Sequence, residues 1–330
     1  MCVDVPARRS RRDRELAGGT PNANLSPASR RSSAAYAYIG RTFDRQLRQT
    51  SSSKYKTQGD TVTQLVPGQV VVVTGGATGI GFALAEAFAS HGLRIALADI
   101  DSEGLQSATE RLANRGVTVI GVHTDVADRD SVRSLRRQVL SQFGTVDIIC
   151  NNAGIYQVLD SIWNIDPVQW RRLFDINYWG VVHGIQEFVP LFLARGSGHV
   201  VNTASMSGLS TVPGSADYGS SKHAVIALSE TLRADLDLAG ATAIGVTVLC
   251  PSIVGTTMGE RALTFLTQSA GDRSAIGSGP NLVNVITSEA VATAAVLGIE
   301  RNLLHVTPTP GSRDRFLKRI QPILENWQIT

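Results

Sequence analysis

The chain has 330 residues, 43% hydrophobic and 18% charged, a balance that supports a sizeable core and excludes a wholly disordered chain. Its formal charge of +3 is unevenly spread: residues 1–68 carry 12 Lys/Arg against 5 Asp/Glu, whereas residues 69–330 carry 19 against 23. The larger part is mildly acidic, which argues against a nucleic-acid partner.

Three cysteines, Cys2, Cys150 and Cys250, are too few for a disulfide framework, and two of them end apolar runs (VDIIC, VTVLC). They read as reduced core residues of a cytoplasmic protein. The six histidines lack metal-ligand spacing such as HExxH and no cysteine pair has CxxC spacing, so no metal is expected. No apolar run reaches the roughly 18 residues that span a bilayer. Residues 1–66 are rich in Arg, Ser, Thr, Asn and Gln without hydrophobic periodicity, and read as a basic flexible extension. Their Arg/Ser richness suggests an organellar transit peptide, but Asp4, Asp13 and Glu15 weigh against that reading.

From about residue 67 onward, strand-length apolar runs alternate with segments of helical period. Strands are predicted at 69–74, 94–99, 117–122, 146–150, 198–203, 244–250 and 303–307. Helices are predicted at 79–91, 102–115, 128–143, 167–194, 216–239 and 287–300. This alternation predicts one doubly wound α/β domain over 67–330, a seven-stranded, mostly parallel sheet with helices on both faces.

The first strand runs into Thr74-Gly75-Gly76-Ala77-Thr78-Gly79-Ile80-Gly81 and then an Ala-rich helix, which sets a glycine loop at a helix N-terminus. Glycine permits the tight turn and lets backbone N–H groups approach a pyrophosphate. Taken alone, the loop could also be an ordinary strand-to-helix turn. The second strand ends in Asp99, 18 residues past Gly81, near the distance at which an acidic residue accepts hydrogen bonds from the adenosine ribose. Asp101 and Ser102 compete to cap the following helix, which leaves Asp99 for the ribose. Further on, Tyr218 and Lys222 stand four residues apart at the start of a predicted helix and project from one face. An ammonium beside a tyrosine favours the phenolate and lowers a pKa otherwise near 10. Ser205 ends the strand-like run HVVNTAS and lies where a carboxyl-end loop overlooks the crevice. Asn177 sits in the apolar run LFDINYWGVV, a costly place unless its amide finds partners. No GxSxG elbow surrounds Ser205, which weighs against a hydrolase.

These residues fall in an order that resembles the classical short-chain dehydrogenase/reductase family, with its Rossmann fold. TGGATGIG resembles the family's TGxxxGxG loop, placing Gly75, Thr78, Gly79, Ile80 and Gly81 on the cofactor. Asp125-Val126 resembles its adenine-contacting dipeptide, and Asn151-Asn152-Ala153-Gly154 its NNAG motif, with Asn151, Ala153 and Gly154 facing cofactor. Asn177, Ser205, Tyr218 and Lys222 match its active-site tetrad, with Tyr218 and Lys222 also holding the nicotinamide ribose and Asn177 a proton-relay water. Pro251-Ser252 departs from the family's usual Pro-Gly, while Pro251 and Thr256 still fit the nicotinamide end. The resemblance spans about 69–260. It implies an enzyme, an oxidoreductase that uses NAD, prefers it over NADP, and moves hydride to or from a small, mainly apolar alcohol or ketone. It also implies a homodimer or homotetramer. The alternative is a catalytically silent dinucleotide-binding sensor or scaffold. Candidate pocket residues are Tyr156, Gln157, Met206, Ser207, Val212 and Pro213, with a substrate lid at about 255–285.

Overall fold

A computed structural model describes residues 64–156, 159–260, 263 and 285–326 of the chain. The predicted basic extension lies outside these residues except at its end, as do Gln157 and most of the predicted lid. Among the described residues, no helix is long and apolar enough to cross a membrane.

The first half builds β1 (Val70–Thr74), α1 (Gly79–Ser90), β2 (Arg94–Asp99), α2 (Ser102–Ala113), β3 (Val119–His123), α3 (Arg129–Phe143) and β4 (Ile148–Asn151). The second half adds α4 (Pro167–Phe174), α5 (Gly180–Arg195), β5 (Gly198–Thr203), α6 (Ala216–Leu238), β6 (Ile244–Leu249), α7 (Ser288–Glu300), β7 (His305–Val306) and α8 (Ser312–Glu325). The seven strands lie in the order β3-β2-β1-β4-β5-β6-β7, and every pairing is parallel.

A strand buried on both faces needs apolar side chains at every position, and Val70–Val73 supply them. The period-two alternation sends Val71 and Val73 to one layer with Leu84, Phe88, Leu105 and Val291. Val70 and Val72 go to the other, with Leu135, Val139, Phe188 and Leu232. Helices α1, α2 and α7 therefore cover one face, and α3, α5 and α6 the other. Burying a side chain such as Phe88 or Phe188 contributes about 1.5–3 kcal/mol. The sheet reverses its winding between β1 and β4, and such a switch point opens a crevice at the carboxyl ends of these strands. At the opposite end, Asp147 accepts from Val70 N at 2.7 Å and pairs with Arg195 at 3.0 Å, joining the two halves.

The structure departs from the predicted elements in three places. The predicted helix over 167–194 is split by one π-helical turn at Asp175–Trp179. The last strand is only His305–Val306. Helix α8 was not predicted, because its apolar residues serve little core: of its length only Ser312 is buried.

One buried group makes the fold sensitive to acid. His199, in β5, shares its Nε2 with Thr247 Oγ1 at 2.9 Å, and that hydroxyl donates onward to the Leu303 carbonyl. The threonine proton is thus committed, so Nε2 carries the hydrogen and the buried Nδ1 is left without a partner. Burial, and then the Arg233 charge, hold His199 down at about 3 against an ordinary 6.5. The unfolded chain therefore binds the extra proton first, and stability is lost as pH falls from 6.5 toward 3, by about 1.4 kcal/mol per unit at most. His199→Gln is expected to flatten the fall in Tm over that acid range. An unchanged slope would remove His199 as its cause.

Candidate active site

The glycine loop closes onto the NNAG segment. Gly75 adopts φ +63°, and a Cβ there would come within 2.8 Å of the Ala153 Cα. At Gly81 a Cβ would collide with the Gly75 carbonyl oxygen, so the turn admits no side chain at that position. Asn152 and Thr74 lock this contact. The Thr74 hydroxyl accepts from the backbone N–H of Asn152 at 2.9 Å and of Ala153 at 3.1 Å, while Asn152 Nδ2 donates to the Thr74 carbonyl at 3.1 Å. Thr78 is the exposed N-cap of α1, and its side chain makes no capping bond. Its hydroxyl and the first N–H groups of α1, at Gly79, Ile80 and Gly81, are free for an anionic ligand. The bare turn and open helix end fit a dinucleotide pyrophosphate.

Asp99 ends β2 beside this loop. Its Oδ2 accepts from Ala77 N at 3.0 Å and its Oδ1 from Asp101 N at 3.1 Å. Asp101, not Asp99, caps α2 by accepting from Gly104 N. Each Asp99 oxygen keeps a further lone pair for a ribose hydroxyl. Asp125 accepts from Ala127 N at 2.9 Å, and Val126 is buried with its carbonyl 2.9 Å from His183 Nδ1. Asn151 turns its side chain inward. Its Nδ2 donates to Asn202 Oδ1 at 2.9 Å, and its Oδ1 meets Gly184 in the α5 layer. The side chain is thus inside the fold, and only the backbone of Asn151 is left to face a cofactor.

The four tetrad residues come from three places: Asn177 from the π-helical turn, Ser205 from the segment after β5, and Tyr218 and Lys222 from α6. Asn177 lies in the π-helical turn, fully buried, and its amide clasps the backbone of Ile155: Oδ1 accepts from Ile155 N at 2.8 Å and Nδ2 donates to Ile155 O at 2.9 Å. Nδ2 also donates to Ser221 Oγ at 3.3 Å. This satisfies the amide whose burial in an apolar run is otherwise costly. Lys222, buried on α6, donates from Nζ to the Thr203 carbonyl at 2.9 Å. A Cβ on Gly154 would lie 3.1 Å from Asn177 Oδ1 and 3.4 Å from Lys222 Nζ, so these two groups converge on one glycine. Lys222 Nζ is 5.7 Å from the centroid of the Tyr218 ring. The Ser205 hydroxyl lies beside the Tyr218 phenol, accepts from Ser207 N at 3.1 Å and donates to the Pro251 carbonyl at 3.4 Å. The Tyr156 ring packs edge-on against Tyr218 with centroids 4.9 Å apart. Thr256 reaches the loop from the far side, its methyl 3.1 Å from a Cβ placed on Gly79.

The electrostatics differ from expectation at Tyr218. Burial pushes its phenol above the ordinary value, only partly offset by the Ser205 hydroxyl. Burial likewise pulls Lys222 down to about 8. Lys222 Nζ is bonded to the Thr203 carbonyl, and burial outweighs the other influences on the Tyr218 phenol. Cys250, also buried here, is pushed up to about 12 by burial and is an inert thiol at neutral pH.

The short chain dehydrogenase family model matches residues 69–265. A 1-deoxy-11-beta-hydroxypentalenate dehydrogenase of Streptomyces avermitilis is 42% identical over 189 residues, 57% of this chain and 69% of that protein. The 3beta-hydroxysteroid dehydrogenase 2 of Eggerthella lenta is 36% identical over 196 residues, 59% of this chain and 74% of the other. Among solved structures, a short chain dehydrogenase/reductase from Burkholderia phymatum in complex with NAD is 31% identical with a TM-score of 0.72, covering 81% of this chain and 98% of its own. The chain belongs to the short-chain dehydrogenase family. It is an oxidoreductase that moves hydride between a nicotinamide dinucleotide and a hydroxyl or carbonyl carbon.

Proposed function

We propose that the chain is an NAD-preferring dehydrogenase of a small, mainly apolar alcohol or ketone, with Tyr218 as its general base. The observation that carries this reading is the convergence of Lys222 and Asn177 at Gly154 beside the glycine loop, with Lys222 Nζ 5.7 Å from the Tyr218 ring. Bound nicotinamide supplies the hydride acceptor or donor and, when oxidised, a positive charge. Tyr218 takes the proton of the substrate hydroxyl. Ser205 donates to the substrate oxygen and holds it beside the phenol. Lys222 adds positive charge to the site and binds the nicotinamide ribose, while Asn177 fixes the 155 backbone and orders the relay water. Gly75, Thr78, Gly79, Ile80 and Gly81 take the pyrophosphate, Asp99 the adenosine ribose, Asp125 and Val126 the adenine. Backbone of Asn151, Ala153 and Gly154 lines the crevice, and Pro251 and Thr256 flank the carboxamide.

The names of two relatives, a hydroxypentalenate and a hydroxysteroid dehydrogenase, support a compact, largely apolar substrate. Tyr156, edge-on to Tyr218, supplies an apolar wall for it. A screen of secondary alcohols, steroids, sugars and acyl alcohols, reading cofactor reduction with NAD and NADP, tests the reading. Reduction in no case would favour the silent sensor. We assign the catalytic chemistry to residues 67–330, with a lid at about 255–285, in a cytoplasmic homo-oligomer. A chain beginning near Leu65 is therefore expected to keep the turnover and thermal midpoint of the full chain, measured side by side. Loss of either would place part of the machinery in the extension.

A further inference from the structure

The substitution of serine for the family's usual glycine after Pro251 has a partner in the C-terminal helix. Arg315 of α8 donates from Nη1 to Ser252 Oγ at 2.9 Å and from Nη2 to Ser210 Oγ at 3.3 Å. These two serines belong to the two segments that meet at Ser205. On one side, the Pro251 carbonyl accepts both Ser205 Oγ at 3.4 Å and Met206 N at 2.8 Å. Ser252 follows directly, and its N–H donates to Thr309 Oγ1 at 3.0 Å. On the other side, Ser210 returns both its N–H, at 2.8 Å, and its hydroxyl, at 3.1 Å, to the Met206 carbonyl. One guanidinium thus bridges the turn that receives the Ser205 hydroxyl and the loop that begins with it.

We propose that Arg315 is a positioning residue: with Ser252 and Ser210 it clamps the Ser205 loop to the Pro251 turn, and so holds the Ser205 hydroxyl in place beside Tyr218. The inference rests on the reading of Tyr218 and Ser205 given above. A planar fork with fixed donor directions suits this task, whereas a lysine ammonium is one flexible point of charge that cannot hold both hydroxyls at once in the same geometry. Glycine at 252 would delete the acceptor altogether, so serine at that position and arginine at 315 make a matched pair. The Ser205 hydroxyl opposes the upward push of burial on Tyr218. Loosening the clamp should therefore raise the Tyr218 midpoint.

The test needs no substrate. The full chain with NAD is titrated for tyrosinate absorbance, and the Tyr218 contribution is isolated by subtracting Tyr218→Phe. Arg315→Ala is expected to raise the Tyr218 midpoint by about half a unit or more, the scale of one hydrogen bond to the charged form. Ser252→Gly should shift it in the same direction, Arg315→Lys should fail to restore it, and the Arg315→Ala/Ser252→Gly double variant should shift no further than Arg315→Ala, as coupled partners do. Should Arg315→Ala fail to fold, Ser252→Gly decides, since it removes only one hydroxymethyl group. A parental midpoint in Ser252→Gly, or in a folded Arg315→Ala whose thermal midpoint alone has dropped, would overturn the clamp. Full turnover in Tyr218→Phe would instead overturn the reading on which it rests, so the two failures are distinguishable.

Discussion

Tyr218→Phe is expected to lower kcat by about 10²-fold or more, the low end of what a positioned general base contributes, while the Kd for NADH stays within about twofold. The variant keeps the ring, and with it the edge-on packing against Tyr156. Lys222 does not depend on the hydroxyl, since its Nζ donates to the Thr203 carbonyl. Ser205 keeps its bonds to the Pro251 carbonyl and Ser207 N–H. What disappears is the acceptor for the substrate proton. Steady-state oxidation of a responsive alcohol, beside a fluorescence titration with NADH, separates the two quantities. The pH dependence has a definite sign: burial holds the phenol up, so oxidation should rise with pH until Tyr218 ionises. Near-parental turnover in the variant, or a rate that falls as pH rises, would reject Tyr218 as the base.

The second large effect concerns cofactor choice. NAD is expected to exceed NADP in kcat/KM by about two orders of magnitude, and Asp99→Ala to remove most of that ratio. The Asp99 carboxylate is held by the Ala77 and Asp101 amides, so it cannot swing away from a 2′-phosphate. Two like charges about 5 Å apart repel by roughly 3 kcal/mol at an effective dielectric near 20, before solvent reduces the figure. No cation in the loop offsets this, since residues 75–81 contain none. Arg94, at the opposite end of β2, donates to the carbonyls of Gly68 and Phe143. The variant also loses the anchor of Ala77, so its efficiency with NAD should fall while that with NADP rises or holds. Equal efficiency with both cofactors in the parent would sink the assignment.

Much of this arrangement was legible in the sequence because it depends on local chemistry. Four consecutive valines before a glycine loop have few uses other than a doubly buried strand, and a tyrosine four residues before a lysine on a helix meets it on one face. The order of the motifs carried the crevice with it. What escaped depends on tertiary contact. Nothing in DINYW announces a π-helical turn, or that Asn177 within it clasps the Ile155 backbone. The two adjacent asparagines of NNAG look alike in sequence, yet alternation along β4 sends Asn151 into the α5 layer and leaves Asn152 to brace the loop. The upward shift at Tyr218 had the same origin, since spacing shows that an ammonium is near but not how deeply the phenol is buried. Helix α8 escaped because it buries no apolar residue and is tied to the body by polar side chains, Ser312 and Arg315.

The central strand also shapes how the molecule can assemble. β1 finds β2 soon after it in the chain, but its other neighbour is closed by Asp147, 77 residues beyond Val70. On a ribosome the first three strands can associate while one edge of β1 still waits, exposed to wrong partners. Such non-local parallel pairing is slow to form. The crevice between β1 and β4 therefore arises only once that pairing is made. A dinucleotide that binds there stabilises the finished protein and slows its unfolding, yet has nothing to grip while the chain is still folding.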